Sequence, residues 1–363
     1  MMETLSRRAL NRATLERQLL LRRVDWPPAK VIEHLVGLQG QDPDPPYFGL
    51  WSRIEGFQIE DLVRLLHDRQ VVRAMLFRGT QHLLTADDYV RFRPLFDKLL
   101  ATLQNGTFRR QTEGIDLAEL ARAAREIIGS GTVTRPELGR ALAERWPGRD
   151  QVALARSAQH LLPVLHPPPD GLWRRRGATP FALAEHWLGR PLSKEPSVQD
   201  LIRRYLAAFG PATVSDVRAW SGLTGLKEAF EPLRPKLRTF RDENGRELFD
   251  LPDAPRPDPD VPAPVRFLAA LDNVVLSYHD RSRIVTEEQR KYAWIDATMT
   301  VDGFVRGLWA IKRAKKTATL DIRLFEPLSK RQEAEVLAEG ERLLRFGAAD
   351  CEVHDIRFRP VGE

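Results

Sequence analysis

The sequence predicts an α+β protein, with three tandem winged helices followed by a small C-terminal sheet or barrel. Three observations carry this. A run of helices closed by a short hairpin recurs three times within residues 1–250; a proline-rich stretch then interrupts the chain; and β-type residues dominate the C-terminal hundred or so positions, around a single helix. At 363 residues the chain exceeds one ordinary domain and can bury more than one core.

The first unit covers residues 1–110. Apolar positions at helical spacing predict helices over 7–22, 28–39 and 58–69, the second through Val31, Ile32, Leu35 and Leu38. Residues 71–84 read as two short strands meeting near Gly79. The second unit, 111–192, repeats the pattern with helices at 116–128, 134–145 and 151–160. Thr134, Pro136 and Glu137 mark a helix start. Its hairpin is placed at 161–176, with a turn-rich tip in 166–171 and a second strand through Trp173-Arg174-Arg175-Arg176. The third unit, 193–250, is a compressed copy: helices at 197–208, 213–221 and 223–232, then a hairpin turning at Asn244-Gly245. Six prolines within 251–264 predict an extended linker and a domain boundary. In the last domain, 265–363, strands are expected at 265–277, 299–322 and 351–358, with a turn at Asp302-Gly303 and one helix at 329–346.

Of the 56 basic residues, 10 are lysine and 46 arginine, against 50 acidic residues, for a net charge of +6. Two explanations of this bias stay open: a GC-rich coding sequence, or phosphate recognition by the forked, permanently charged guanidinium. A pI near 9.6 makes nucleic acid a reasonable partner. The single cysteine, Cys351, allows no internal disulfide, and no apolar run approaches membrane-spanning length. The expectation is a cytoplasmic protein, a monomer, with no membrane association.

Several chemistries lack their motifs. No Gly-x-x-x-x-Gly-Lys loop or Gly-x-Gly-x-x-Gly turn supports a nucleotide cofactor, no paired-histidine or cysteine spacing supports a metal site, and no Gly-x-Ser-x-Gly elbow is present. No cofactor and no metal are expected. The basic candidates for DNA contact are Arg78 and His82 on the first hairpin, Arg281 and Arg283 in the turn after a strand, and Lys312, Lys315 and Lys316 at a loop tip. Each has a competing structural explanation. Arg78 can pair with a neighbouring acid, His82 can be a satisfied buried imidazole, the 279–283 turn can be an ion network through Asp280, and the lysine tip can simply be solvated. Trp173-Arg174-Arg175-Arg176 reads as a solvated strand end rather than a DNA reader.

The most distinctive motif is Gln39-Gly40-Gln41, followed by Asp42-Pro43-Asp44-Pro45-Pro46. Gly40 and the Asp42-Pro43 step favour leaving the helix, and in extended backbone residues 39 and 41 share a face. Two neutral amides then project together, each with an acceptor oxygen and two donor hydrogens, able to orient a water or a base edge.

These glutamines sit in Leu35-Val36-Gly37-Leu38-Gln39-Gly40-Gln41. Together with Pro45-Pro46-Tyr47-Phe48-Gly49-Leu50-Trp51-Ser52-Arg53, Arg78-Gly79-Thr80-Gln81-His82-Leu83 and Ser277-Tyr278-His279-Asp280-Arg281-Ser282-Arg283, that segment resembles the AlkZ-like bacterial DNA glycosylases over nearly the whole chain. The resemblance implies three winged helices bent into a C shape and a C-terminal β-barrel-like domain. It also implies double-stranded DNA carrying alkylated purines as substrate, including bulky N7-alkylguanine adducts and interstrand crosslinks, and a catalytic Gln-x-Gln pair matched here by Gln39 and Gln41. Members of that subgroup often protect antibiotic producers from their own DNA-alkylating products.

The implied chemistry suits the residue type. A carboxamide is a poor general base and cannot readily drive loss of a neutral base. An N7-alkylated guanine already carries positive charge and departs neutral, so a positioned water and a surface complementary to the developing sugar cation suffice. Asp42 is an alternative base, although its attachment to Pro43 favours a turn role. On the residues alone, two non-enzymatic readings compete: a winged-helix transcriptional regulator and a protein that sequesters lesions without cleaving them.

Overall fold

The computed structural model describes residues 2–293 and 295–362. Helix Arg7–Arg17 is the central rod. Ser6 caps it by accepting the Ala9 amide, and residues along it that look like solvent-facing ones, Asn11, Arg12, Thr14 and Arg17, are buried. The helix ends at Arg17, short of the expected residue 22. Its continuation is given up to tertiary bonds, since the Gln18 backbone carbonyl accepts from Arg53 and the Gln18 side chain donates through Nε2 to the Ala208 carbonyl.

The second helix, Pro28–His34, stops five residues early. Val36 and Gly37 take left-handed backbone, and the Gly37 amide returns to the Ile32 carbonyl at 2.9 Å, closing the helix end. Gln39 therefore lies in a short strand, Leu38–Gln39, rather than on a helix. Pro45 and Pro46 open a short helix, Pro45–Trp51, which proline tolerates because the first amides of a helix lack partners anyway.

Strand Leu38–Gln39 pairs antiparallel with Gln81–Thr85, which pairs with Val71–Met75. This first hairpin joins that of the second unit through Ala74 opposite Leu165. One six-stranded sheet results, in the order Leu38–Gln39, Gln81–Thr85, Val71–Met75, Val164–Leu165, Pro180–Leu183, Val133–Thr134. Helices Leu117–Ile128, Arg135–Arg145 and Gln151–Leu161 form where periodicity and caps predict them. The second hairpin differs from expectation. Its returning strand is Pro180–Leu183, and 166–179 is a loop laid across the first unit. Trp173 sits there among Tyr47, Phe48 and Phe346.

Helices Val198–Phe209, Val214–Ser221 and Leu226–Phe230 precede the hairpin Arg238–Asp242 and Glu247–Asp250. Residues 251–264 form no helix or strand but are not extended throughout, turning where the Ala254 and Val261 amides reach the Leu251 and Asp258 carbonyls. The central rod pins them down: Arg17, Arg8 and Arg12 donate to the carbonyls of Pro255, Pro259 and Val261.

The C-terminal part is five strands in sequence order, Arg266–Leu268, Ala297–Val301, Phe304–Ala314, Thr317–Leu324 and Val353–Pro360, with the last pair parallel. Among the described residues the two edge strands do not pair, so the expected barrel is an open sheet. Helix Lys330–Gly347 accounts for this. Its Val336, Leu343 and Leu344 share one core with Phe267, Leu320 and Ile322 of the sheet and with Tyr47 and Leu50 of the first unit, so the apolar face is buried without closure. The opposite face of the first hairpin packs on a different core, where Val72, Phe77 and Leu84 meet Tyr205, Phe209 and Trp220, while Val71 and Leu83 turn to the first.

Candidate active site

Beyond Gln39 the chain leaves the sheet. The Gly40 amide makes a last ladder bond to the Gln81 carbonyl at 2.8 Å, and the Gly40 and Gln41 carbonyls then accept from Arg73, at 2.7 Å from Nε and 3.0 Å from Nη2. The two amide side chains end on consecutive residues. Gln39 donates through Nε2 to Thr80 Oγ1 at 3.1 Å, and the Gln81 backbone amide donates to Gln41 Oε1 at 3.2 Å.

They differ in depth. Gln39 is only 7% exposed, whereas Gln41 is exposed and lines a cleft of about 810 Å³ together with Thr80 and Gln81. That volume suits a ligand of nucleotide size. The first unit supplies one wall. The other comes from the second unit: Arg135 at a helix start, Arg156, Gln159 and His160 on helix Gln151–Leu161, and Arg175 and Arg176 in the crossing loop. Arg73 is ion-paired with Asp170, and Arg176 with Asp42 and Asp44. Among the described residues Arg135, Arg156 and Arg175 have no carboxylate within salt-bridge distance, so the cleft lining carries positive charge.

Gln39 Oε1 accepts from Arg78 Nη2 at 2.8 Å, and Nη1 of the same guanidinium is bonded to the Trp220 carbonyl. Arg78 holds left-handed backbone at φ 54°. Burial, and then the charge of Arg281, lowers its pKa to about 10. Because the cation occupies the oxygen and Thr80 the nitrogen, the orientation of the Gln39 amide is fixed.

A family model described as "DNA glycosylase AlkZ-like" matches residues 32–346. The chain belongs to the AlkZ-like DNA glycosylase family. An interstrand DNA cross-link repair glycosylase of Streptomyces sahachiroi is 24% identical over 336 residues, spanning 82% of this chain and 85% of that protein. The solved structure of the Streptomyces sahachiroi DNA glycosylase AlkZ superposes with a TM-score of 0.77 at 20% identity, covering 98% of this chain and all of that one. The mixed α+β architecture is thus that of an AlkZ-like protein, and the chain is a DNA glycosylase acting in DNA repair. This displaces the transcriptional-regulator reading.

Within this AlkZ-like framework the basic candidates scatter. Arg78 touches Gln39 rather than lying on an open surface. His82 is 3% exposed. Its Nδ1 pairs with the Thr80 carbonyl at 3.0 Å and its ring stands edge-on to Phe77, so it is the satisfied buried imidazole and does not reach the surface. Arg283 is likewise buried, donating to the Pro211 carbonyl and stacking over Tyr278, and Arg281 beside it is half-buried. Lys315 and Lys316 do lie at a hairpin tip, between Phe304–Ala314 and Thr317–Leu324, whereas Lys312, expected there too, sits inside the first of these strands opposite Thr319. Lys312 pairs with Asp321, Lys316 with Glu352, and Lys315 is exposed. Asp42 accepts the Asp44 amide at 3.2 Å, which is the turn role expected of it. Arg73, Thr80, Arg135, Arg156 and Asp170 went unrecognised in the sequence. The one available signal was Arg73, a cation in the middle of the otherwise apolar strand Val71–Met75.

Proposed function

We propose that this DNA glycosylase is monofunctional: it hydrolyses the N-glycosidic bond of alkylated purines in double-stranded DNA, N7-alkylguanine first, with bulky adducts and interstrand crosslinks in its range. The observation that carries this is the placement of Gln41 on a cation-lined cleft, with Gln39 locked directly behind it. The helix and hairpin units are read as three winged helices arranged as a C around that cleft, with the protein working as a cytoplasmic monomer without metal or cofactor. Self-protection against a DNA-alkylating natural product suits the same substrate range.

In this reading Gln41 orients the attacking water through its amide, and Gln39 supplies a fixed dipole near C1′ of the sugar. No strong base is needed, because the leaving purine is already cationic and departs neutral. The work of the site is to place the water and to favour the developing sugar cation. Arg135, Arg156 and Arg175 hold backbone phosphates. A crosslinked base is tethered to the opposite strand and cannot swing out freely, and a cleft between two units that meets the lesion in the groove avoids the cost of full extrusion.

The test is base release from a duplex carrying one N7-methylguanine, under single-turnover conditions, with abasic sites revealed by alkaline cleavage. Release by the wild type, lost in Gln39→Ala and Gln41→Ala while DNA binding persists, is the expected result. Undiminished release by both variants would remove the amide pair from the mechanism.

A further inference from the structure

We propose that Arg73 and Asp170 act together as positioning residues for Gln41, so that the second unit sets the geometry of the amide in the first. This rests on the reading of Gln41 as catalytic. After Gln39 the 40–44 segment has no regular ladder, and its backbone carbonyls need partners from elsewhere. One guanidinium provides them. Nε and Nη2 of Arg73 bond the consecutive carbonyls of Gly40 and Gln41, and Nη1 meets the Asp170 carboxylate of the crossing loop. A planar fork bonded at two successive carbonyls fixes the peptide between them, and with it the direction in which the Gln41 side chain leaves the backbone.

Both partners sit at the seam between the units. The Arg73 carbonyl accepts the His166 amide at 2.9 Å, beside the single register pair Ala74 and Leu165 that joins the two hairpins. The Asp170 amide donates to the Pro167 carbonyl, and the next carbonyl, that of Gly171, accepts from the Tyr47 hydroxyl at 3.0 Å. Gly171 has φ +81°, and a β-carbon there would stand 3.3 Å from Arg73 Cδ, so glycine lets the loop close over the arginine. The side chains of Arg73 and Asp170 are 6% and 14% exposed, which keeps competing water from the pair. Lysine, a single point charge on a flexible stem, cannot reproduce the three-way contact.

The experiment compares single-turnover release of N7-methylguanine, and binding of the same duplex, for wild type, Arg73→Lys, Asp170→Asn, Asp170→Glu and Gln41→Ala. Arg73→Lys and Asp170→Asn are expected to release base roughly 10- to 100-fold more slowly at saturating protein, with duplex Kd within about threefold of wild type. Asp170→Glu recovers part of the loss. Adding Asp170→Asn to Gln41→Ala lowers the rate no further, because the carboxylate acts through that amide. Wild-type release by a folded Asp170→Asn protein, with Gln41→Ala impaired, would overturn the proposal and leave the catalytic reading standing. A loss that tracks thermal melting, or one confined to Kd, would also overturn it by reducing the pair to a structural tie. Full activity of Gln41→Ala is a different failure, that of the catalytic reading itself.

Discussion

Arg78 donates to the side-chain oxygen of Gln39 at 2.8 Å while also holding the carbonyl of Trp220, so the orientation of an amide in the first unit is tied to a helix of the third. The packing leaves little slack. A β-carbon at Gly222, the glycine that ends the Trp220 helix, would lie 3.1 Å from Arg78 Cα. Arg78→Ala frees the Gln39 amide to rotate and leaves Thr80 as its remaining tether. The expected outcome is a base-release rate lower by about 10- to 100-fold, less than the roughly 100- to 1000-fold cost of removing a donor that meets the reacting atoms directly, with duplex affinity changed much less. Arg78→Ala and Gln39→Ala should also be strongly non-additive when combined, as single-turnover rates of the two single variants and the double variant will show.

Arg135, Arg156 and Arg175 line the cleft without a carboxylate partner among the described residues, and phosphate is the natural counter-charge for such positions. Each replaced by glutamine should weaken duplex binding for lesion-bearing and undamaged DNA alike. Each should also reduce the magnitude of the log Kd against log salt slope by about 1, as expected for the loss of one phosphate contact. Fluorescence anisotropy across a salt series measures both. Arg176→Gln, whose charge is already shared by Asp42 and Asp44, should change the slope less.

Two buried histidines give stability a pH dependence. Burial, with the charge of Arg78 beside His82 and of Arg73 beside His166, lowers both to about 3. In the unfolded chain each titrates near 6.5, so between pH 6.5 and 3 the unfolded state binds protons that the folded state does not, and stability falls as pH falls. Each histidine contributes a slope of about 1.4 kcal/mol per pH unit once fully within that window. Asp321, hydrogen-bonded by Arg359, and Asp350, hydrogen-bonded by Arg313, are held to about 2 and act in the same direction only below pH 4. Urea denaturation at pH 7.5, 6 and 5 should show the loss already by pH 5, and combining His82→Gln with His166→Gln should flatten it.

What could be read ahead of the structure was local. Helix Arg135–Arg145 announced itself through Thr134 and Glu137, which form a reciprocal cap, and the third hairpin through Gly245, which takes φ 76° at the turn. The crossing loop reads as a returning strand because it follows the turn-rich run His166-Pro167-Pro168-Pro169-Asp170-Gly171, while the partners that hold it, Asp44, Gly347 and Asp350, lie more than 100 residues away along the chain. The site divides the same way. Gln39-Gly40-Gln41 stood out as a motif, but Arg73 and Asp170 meet only across the seam between units, and nothing local in Ser277-Tyr278-His279-Asp280-Arg281-Ser282-Arg283 says that Arg283 turns inward over Tyr278.

The ion pair between Arg17 and Asp250 makes a further test of how the linker is held. Arg17 forks onto both carboxylate oxygens, at 2.6 and 2.8 Å, donates to the Leu206 carbonyl, and reaches the Pro255 carbonyl within the 251–264 stretch; both side chains are essentially excluded from solvent. Asp250 also accepts from Arg256. Removing one partner strands a charge in a site that water does not reach, so Arg17→Met or Asp250→Leu alone should cost about 3–5 kcal/mol. The double variant removes both charges and should recover much of that loss, though less than fully, because Arg256 keeps its charge without the carboxylate. Chemical denaturation of the four proteins checks the cycle. Equal, additive losses would mean that Arg17 stabilises the rod through its carbonyl contacts alone and that Asp250 is held by Arg256.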